Sequence, residues 1–163
     1  MKKILLLSDT HGHIDDHMIK HIQASDEVWH AGDIGGAQVT DIISKLKPLR
    51  AVYGNIDSHE LRLDFAKELM FQCEEVKVYM THIGGRPGRY AKGVSQKLKS
   101  ILPQVFICGH SHILKIQYDK HHNLLFINPG AIGKHGFHKV RTMLRFQIDK
   151  TEIKNLEVIE VKR

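Results

Sequence analysis

Side chains that bind metal ions recur in this sequence directly after short apolar runs. The residues are Asp9 and His11 after ILLLS, Asp33 after VWHAG, Asn55 and Asp57 after RAVYG, His82 after VYMT, and His110 and His112 after VFICG. Carboxylate, amide and imidazole groups suit Mn, Fe, Co, Ni or Zn, and the set does not select one of these metals. Metal-assisted chemistry is therefore predicted, provided that the fold brings these side chains together.

The apolar runs that precede these residues have the composition of strands. They cover residues 4–7, 28–32, 50–54, 76–81, 105–109 and 124–128. Several are continuous rather than alternating, which indicates strands buried on both faces. Apolar residues are spaced for one helix face over residues 14–22, 39–46 and 94–102, and hairpins are predicted at 69–80 and 143–161. We expect an α/β (α+β) fold of mixed sheets covered by helices.

The ends of these strands are where the fold would assemble a site. Open α/β sheets bind ligands beyond the carboxyl ends of their strands, so residues far apart in sequence converge there. Each piece has another reading on its own, because Asp9 could cap a helix and Gly32–Asp33 could form a turn. The pair His110 and His112 in CGHSH is the stronger single signal. Five strand ends that each carry such a residue favour a metal site.

Composition limits the remaining possibilities. The 163 residues, 42% of them hydrophobic, predict one domain over 1–163 with a sizeable core. The first apolar run is too short for a signal peptide, whose core needs about 7 to 15 residues, so we predict a cytoplasmic protein with no membrane partner and with Cys73 and Cys108 as buried free thiols. The net charge of +6 favours anionic partners, but nucleic acid is unlikely because no basic cluster contains interleaved aromatic residues.

Five short motifs, in order, resemble a known family. SDTHG, GD, GN, a strand-end His and GHSH over residues 8–112 resemble the blocks of the calcineurin-like metallophosphoesterases, and NPGAIG at 128–133 resembles a further loop of the small single-domain YfcE-type phosphodiesterases. The resemblance implies a four-layer αββα sandwich of two mixed β-sheets flanked by helices, with a dinuclear metal site on one rim.

The resemblance also implies roles for single residues. One metal ion would take Asp9, His11, Asp33 and His112, the other would take Asp33, Asn55, His82 and His110, and Asp33 would bridge them; the catalytic set is Asp33, Asn55, Asp57 and His82. Two divalent ions, with Mn as the working assumption, would share a bridging hydroxide for in-line attack on a phosphate ester. The implied enzyme is a metal-dependent phosphodiesterase whose substrate is a small molecule or a nucleotide.

The stretch YGNID departs from the larger family. Many members have a His that protonates the leaving group where this chain has Ile56, so Asp57 lacks its expected partner. General acid catalysis commonly contributes about 10² to 10⁴ in rate, so we predict a modest enzyme that depends on good leaving groups. His13 or His59 could supply the proton, or each could be an ordinary solvated loop residue.

Two more features bear on the substrate and on competing functions. Arg86 and Arg89 lie in a Gly/Pro loop beside His82 and could clamp a phosphate oxygen, or they could simply face water. Ile83 stands where the family commonly has Gly and would narrow the site. The alternative function is a catalytically weak or inactive interaction scaffold similar to the retromer subunit of this fold, and a homodimer is possible by analogy.

Overall fold

The computed structural model describes residues 1–163 and contains four helices and twelve strands. The helices are α1 (Asp16–Gln23), α2 (Ala37–Leu46), α3 (His59–Asp64) and α4 (Val94–Ile101). The strands are β1 (Lys2–Leu7), β2 (Glu27–His30), β3 (Leu49–Ala51), β4 (Glu68–Cys73), β5 (Val76–Thr81), β6 (Gly85–Arg86), β7 (Arg89–Tyr90), β8 (Val105–Ile107), β9 (Leu114–Asp119), β10 (Leu124–Pro129), β11 (Val140–Asp149) and β12 (Glu152–Lys162).

The first sheet brings three parallel strands to one edge. Its order is β12-β11-β1-β2-β3, in which β1, β2 and β3 are parallel and the long hairpin β11–β12 pairs antiparallel with β1. Helices α1 and α2 make the crossovers between the parallel strands. The loops that follow β1, β2 and β3 therefore leave the sheet on the same side.

The second sheet repeats this arrangement with different partners. Its order is β4-β5-β8-β10-β9, with β5, β8 and β10 parallel in the middle and antiparallel strands at both edges. His82 follows β5 and His110 follows β8, so both leave from the carboxyl ends of neighbouring strands. A separate two-stranded ribbon, β6–β7, lies between them in sequence.

Three apolar clusters define the layers. The stretch ILLL shows how they form, because Ile4 and Leu6 pack into the cluster between the two sheets while Leu5 and Leu7 pack into the cluster under α1 and α2. This two-residue alternation explains why the run has no polar positions. A third cluster joins α4 to the outer face of the second sheet. The predicted αββα sandwich of two mixed sheets is thereby confirmed.

The structure differs from the predicted elements mainly at boundaries. Helix α1 begins at Asp16 rather than residue 14, because the carboxylate of Asp15 accepts a hydrogen bond from the N–H of Met18 and caps the helix. The short helix α3, capped by Ser58, and the edge strand β9 were not predicted. Both cysteines are buried and free, as expected. None of the helices combines the length and the hydropathy that crossing a bilayer requires.

Candidate metal centre

The carboxyl edges of the two sheets meet at a cluster of aspartate and histidine side chains. Two groups of ligand atoms form there, each within 4.8 Å of one another. One group contains Asp9, His11 and His112, and the other contains Asp33, His82 and His110. Six of the seven predicted metal ligands are therefore in two neighbouring groups, in the division that the resemblance implied.

Asp9 is held so that one carboxylate oxygen is left free. Its Oδ2 accepts hydrogen bonds from the Ser8 hydroxyl at 2.6 Å and from the N–H of His110 at 3.1 Å. Its Oδ1 lies 3.2 Å from His112 Nε2 and 3.9 Å from the Nε2 atoms of His11 and His82, and it has no hydrogen-bond partner. The free oxygen thus points into the cluster of imidazoles.

Asp33 belongs to the second group and also faces a histidine of the first. Its Oδ1 accepts the N–H of Ile56 at 3.2 Å and is 3.2 Å from His82 Nε2, whereas its Oδ2 is 3.5 Å from His11 Nε2. Burial alone would raise the pKa of Asp33, but the imidazole of His82 in its protonated form and the N–H of Ile56 lower it overall. The two oxygens of one carboxylate therefore face histidines of different groups.

The tautomer of His82 follows from its backbone contact. Its Nδ1 lies 2.7 Å from the carbonyl oxygen of Ala31, which can only accept, so Nδ1 carries the proton and Nε2 presents a lone pair to the cluster. Burial would lower the pKa of His82, but the carboxylates of Asp33 and Asp9 stabilise its protonated form and raise the pKa. Burial lowers the pKa of His11 despite the same two carboxylates.

Backbone conformation is unusual at five of these residues. Asp9, His11, Asp33, His110 and His112 all have φ between 46° and 69°, the left-handed region that residues other than glycine rarely adopt. Such conformations cost free energy and persist where the surrounding structure fixes them, typically at functional sites. The strain indicates that these loops are shaped to place side chains rather than to maximise local stability.

Two motif glycines allow the loops to approach one another. A Cβ at Gly54 would lie 2.0 Å from Asp33 Oδ1, and a Cβ at Gly109 would lie 2.1 Å from Ser8 Oγ. Any side chain at either position would displace the carboxylates. The glycines of GN and GH are thus explained by close packing against the ligand groups.

Several buried polar atoms of this cluster have no hydrogen-bond partner, and they show whether its residues suit a cation. The buried atoms Asp9 Oδ1, His11 Nε2 and His82 Nε2 have no hydrogen-bond partner. Buried polar groups are almost always paired, and each exception costs free energy unless a ligand satisfies it. Because the unpaired atoms are lone-pair donors that face one another, the residues present fit divalent cations.

The loop after β3 contributes Asn55 and Asp57 in different ways. Asn55 is exposed and lines the same cavity of about 580 Å³ as His11, Asp33 and Ile56. Asp57 is buried, and its carboxylate accepts three backbone hydrogen bonds, from Gly54, Ile34 and Gly35 at 2.7, 3.1 and 2.8 Å. Asp57 therefore ties the loop that follows Asp33 to the loop that carries Asn55; its catalytic role stays a prediction.

The predicted proton donors and substrate residues lie outside the cluster. The Nε2 of His13 is 2.8 Å from Asp15, which also accepts a hydrogen bond from Arg141 at 2.8 Å. His59 is exposed at the start of α3. Arg86 and Arg89 are exposed on the β6–β7 ribbon and line a separate groove beside His110.

A loop at residues 133–138, which was not predicted from the sequence, covers the site. Residues 133–138 follow the NPGA stretch and place His135 against His11, with ring centroids 4.7 Å apart, and His138 near His112 at 5.2 Å. The histidines after NPGAIG were the available signal for the loop.

His30, the last residue of β2, is fully buried. Its Nδ1 accepts the N–H of Gly32, so its Nε2 donates to the Thr10 hydroxyl.

Comparisons with known proteins agree with this geometry. The model of the calcineurin-like phosphoesterase superfamily domain matches residues 1–151. A probable metallophosphoesterase from Mycoplasma pneumoniae is 30% identical over 138 residues, which is 81% of this chain and 80% of that protein.

Solved structures with this fold include two different kinds of protein. An archaeal phosphodiesterase superimposes with a TM-score of 0.72 at 24% identity, over 96% of this chain and 99% of its own. Vps29 from Entamoeba histolytica, complexed with Zn²⁺, superimposes with a TM-score of 0.75 at 16% identity, over 98% of both chains. The matched domain covers nearly the whole sequence, and the chain belongs to the calcineurin-like phosphoesterase superfamily.

Proposed function

We propose that this chain is a metal-dependent phosphodiesterase that uses a dinuclear site. The observation that carries the proposal is the set of buried, unpaired atoms Asp9 Oδ1, His11 Nε2 and His82 Nε2, which face one another beside Asp33. A protein that used this surface only for packing would lose free energy by leaving these atoms unpaired. Superfamily membership supports a hydrolytic role.

The site would hold two divalent cations. Asp9, His11 and His112 would hold the first, His82 and His110 with Asn55 would hold the second, and Asp33 would contribute to both. The working assumption is Mn. When bound, such a pair polarises a phosphoryl oxygen and makes water a stronger nucleophile.

The residues of the chain have separate tasks in this reaction. Asp33 and Asp9 supply two carboxylates, which leave a pair of divalent ions with excess positive charge and so favour an anionic substrate. Asp57 keeps the loops of Asp33 and Asn55 in register through its three backbone contacts. The Nδ1 contact of His82 fixes the orientation of that ring.

Ile56 determines which esters should react well. Its side chain is 47% exposed at the mouth of the cavity, and it can neither donate nor accept a proton. A leaving group at that mouth must therefore depart without help from this position. We infer that aryl and other activated phosphodiesters react faster than alkyl esters, whose leaving groups need protonation.

The test is hydrolysis of bis(p-nitrophenyl) phosphate beside p-nitrophenyl phosphate, with Mn, Ni, Zn or Mg and with EDTA. Asp33→Ala is the site variant, and Asp41→Ala removes an exposed carboxylate from α2 as a matched control. The proposal predicts metal-dependent turnover of the diester in the wild type and in Asp41→Ala, and none in Asp33→Ala. Equal background rates in all three folded, metal-loaded proteins would refute it.

One observation favours a second candidate, an interaction scaffold. Four exposed apolar residues surround the cluster and its adjoining grooves: Ile56, Ile83, Ile113 and Phe137. Exposed apolar groups around a cavity are typical of binding surfaces. Metal binding without turnover of either ester would favour this alternative, whereas turnover that requires Asp33 would favour the enzyme.

A further inference from the structure

A second groove adjoins the metal centre and is lined by cations. The basic groove, as we call it, has a volume of about 540 Å³ and is lined by Arg62, Lys67, Lys92 and Lys97 together with two residues of the site, Asn55 and His82. It lies between the loop after β3 and the start of α4. Sequence reasoning did not connect these four cations, which come from three separate segments.

Carboxylates do not neutralise this groove. The only acidic residue in its lining is Glu68, which forms an ion pair with Lys97 and accepts a hydrogen bond from the Tyr79 hydroxyl at 2.7 Å. Burial would raise the pKa of Glu68, but the hydrogen bonds from Lys97 and Tyr79 lower it. The carboxylate is therefore ionised, and its charge is balanced by Lys97. Lys67 and Lys92 are left without a carboxylate partner.

Arg62 connects the groove to the metal centre. Its Nε donates to the carbonyl of Asp57 at 2.9 Å, and its Nη2 donates to the carbonyl of Asn55 at 3.1 Å. Its guanidinium also lies over the ring of Tyr53, 4.8 Å from the centroid. None of these contacts cancels its charge, so Arg62 both anchors the loop of Asn55 and keeps a cation on the groove wall.

The remaining walls also favour an anion. Gly93 and Val94, at the start of α4, line the groove, and no side chain caps that first turn. The N–H of Val94 donates to the carbonyl of Ala91, and the free N–H groups of such a first turn carry partial positive charge. His82 also lines the groove, and Asn55 lines both this groove and the cavity of the cluster. The groove therefore adjoins the proposed cation site.

A neighbouring groove also carries positive charge. It contains Arg86, Arg89 and Lys115 beside apolar side chains and no carboxylate, and Ile83 and Ala91 line both grooves. Gathering like charges in one groove is unfavourable unless an anion relieves their repulsion. The basic groove differs in that the start of α4 lines it beside its four cations.

We propose that the basic groove binds a second phosphate group of the substrate, one that is not itself hydrolysed. The preferred substrates would then be nucleotide-like phosphodiesters with an additional terminal phosphate. This inference rests on the proposed phosphodiesterase function, which places the scissile phosphate at the neighbouring metal centre.

Two substrates that differ by one phosphate test the proposal. These are thymidine 5′-(p-nitrophenyl phosphate) and its 3′-phosphorylated form, both assayed with the Mn-loaded protein. We expect the 3′-phosphorylated substrate to have a KM roughly tenfold lower, since two exposed cations each contribute a modest charge interaction. In Lys67→Gln/Lys92→Gln the two KM values should converge, whereas Lys99→Gln/Lys120→Gln, which removes exposed lysines outside the groove, should keep the difference.

A binding measurement separates this inference from the proposed function. Inorganic tripolyphosphate is titrated calorimetrically into the metal-free full chain, and we expect weaker binding in Lys67→Gln/Lys92→Gln than in the control variant. If neither ester is hydrolysed, the proposed function fails, and the titration still shows whether Lys67 and Lys92 of the groove bind a phosphate anion. Equal KM values in the wild type, equal titrations for both variants, or affinity that rises with the length of a single-stranded oligonucleotide would overturn the proposal.

Discussion

Two clusters in this chain combine aspartate with histidine, and they differ in how completely their polar atoms are paired. In the first, around Asp119, Oδ2 accepts hydrogen bonds from the Tyr90 hydroxyl at 2.6 Å and from His122 Nδ1 at 2.9 Å. Its Oδ1 accepts the N–H groups of His121 and His122, and His122 Nε2 lies 2.9 Å from the Ser95 hydroxyl. This cluster joins β9, its turn and α4, and both carboxylate oxygens of Asp119 and both ring nitrogens of His122 have partners.

The second cluster, at the candidate metal centre, has the same residue types, but some of its buried polar atoms have no hydrogen-bond partner. Asp9 Oδ1, His11 Nε2 and His82 Nε2 are buried and unpaired, and five residues of the cluster adopt left-handed backbone conformations. None of the residues around Asp119 that make its hydrogen bonds has a positive φ. Residue type alone therefore does not separate the two clusters, whereas the buried, unpaired atoms do.

The largest effect that we expect of a single substitution is on activity. Replacing Asp33 by Ala removes the carboxylate that faces both histidine groups. Since metal ions supply several kcal/mol of transition-state stabilisation, kcat/KM for bis(p-nitrophenyl) phosphate should fall by on the order of 10³-fold or more. Thermal unfolding in EDTA should show only a modest loss of stability, because the one hydrogen bond that the variant loses is that from the N–H of Ile56. A large loss of stability in EDTA would contradict this assignment.

The paired cluster should respond in the opposite way. Asp119→Ala leaves Tyr90 and His122 without their shared acceptor, so we expect the free energy of unfolding to fall by about 2–3 kcal/mol. Metal content and kcat/KM of the folded variant should match those of the wild type. Urea unfolding gives the free energy of unfolding, and elemental analysis of the same preparation gives the metal content. Loss of bound metal would show that Asp119 does not have a purely structural role.

His30 lies next to the candidate metal centre, and both of its ring nitrogens have hydrogen-bond partners. Its contacts with Thr10 and Gly32 hold it neutral, and burial lowers its pKa to about 4. Below the ordinary histidine pKa the unfolded chain takes up a proton that the folded chain does not, so stability falls as the pH drops toward about 4. Between pH 7.5 and 5 the contribution is about 2 kcal/mol.

Urea unfolding in EDTA at both pH values checks this expectation. His30→Gln keeps a side chain that can donate to Thr10 but removes the titration, so its stability should change less between the two pH values than that of the wild type. An equal change in both proteins would show that His30 is not the group responsible.

The smallest expected effect concerns a residue behind the ligands. The Ser8 hydroxyl donates to Asp9 Oδ2 and so directs Oδ1 toward the histidines. Partners of this kind commonly contribute about 10- to 100-fold to metal affinity, and we expect the lower value for Ser8→Ala because the N–H of His110 still holds the carboxylate. Competition with a chromophoric chelator gives the affinity, and an unchanged value would remove Ser8 from the description of the site.

The sequence predicted which side chains come together, because the signal for them is local. Each of Asp9, Asp33, His82 and His110 follows an apolar strand, and parallel strands must bring such positions to one edge. The αββα layers followed from apolar runs that alternate between two cores, as Ile4 and Leu5 do.

What the sequence did not predict depends on tertiary contacts. Asp57 accepts backbone N–H groups from a loop 22 to 23 residues away, and no local pattern records that pairing. The position of His135 against His11 depends on how residues 133–138 return over the site. Lys67 and Lys92 meet across a groove only after α3, β4 and β5 have packed.

The number of metal ions bound per chain tests whether each of the two ligand groups holds a cation. After loading with Mn and removal of free metal, elemental analysis of the wild type should give two ions per chain, and His110→Ala and His112→Ala should each retain fewer, because each removes a ligand from a different group. One ion or none in the wild type, with a content that neither substitution changes, would contradict the account of two cation positions joined by Asp33.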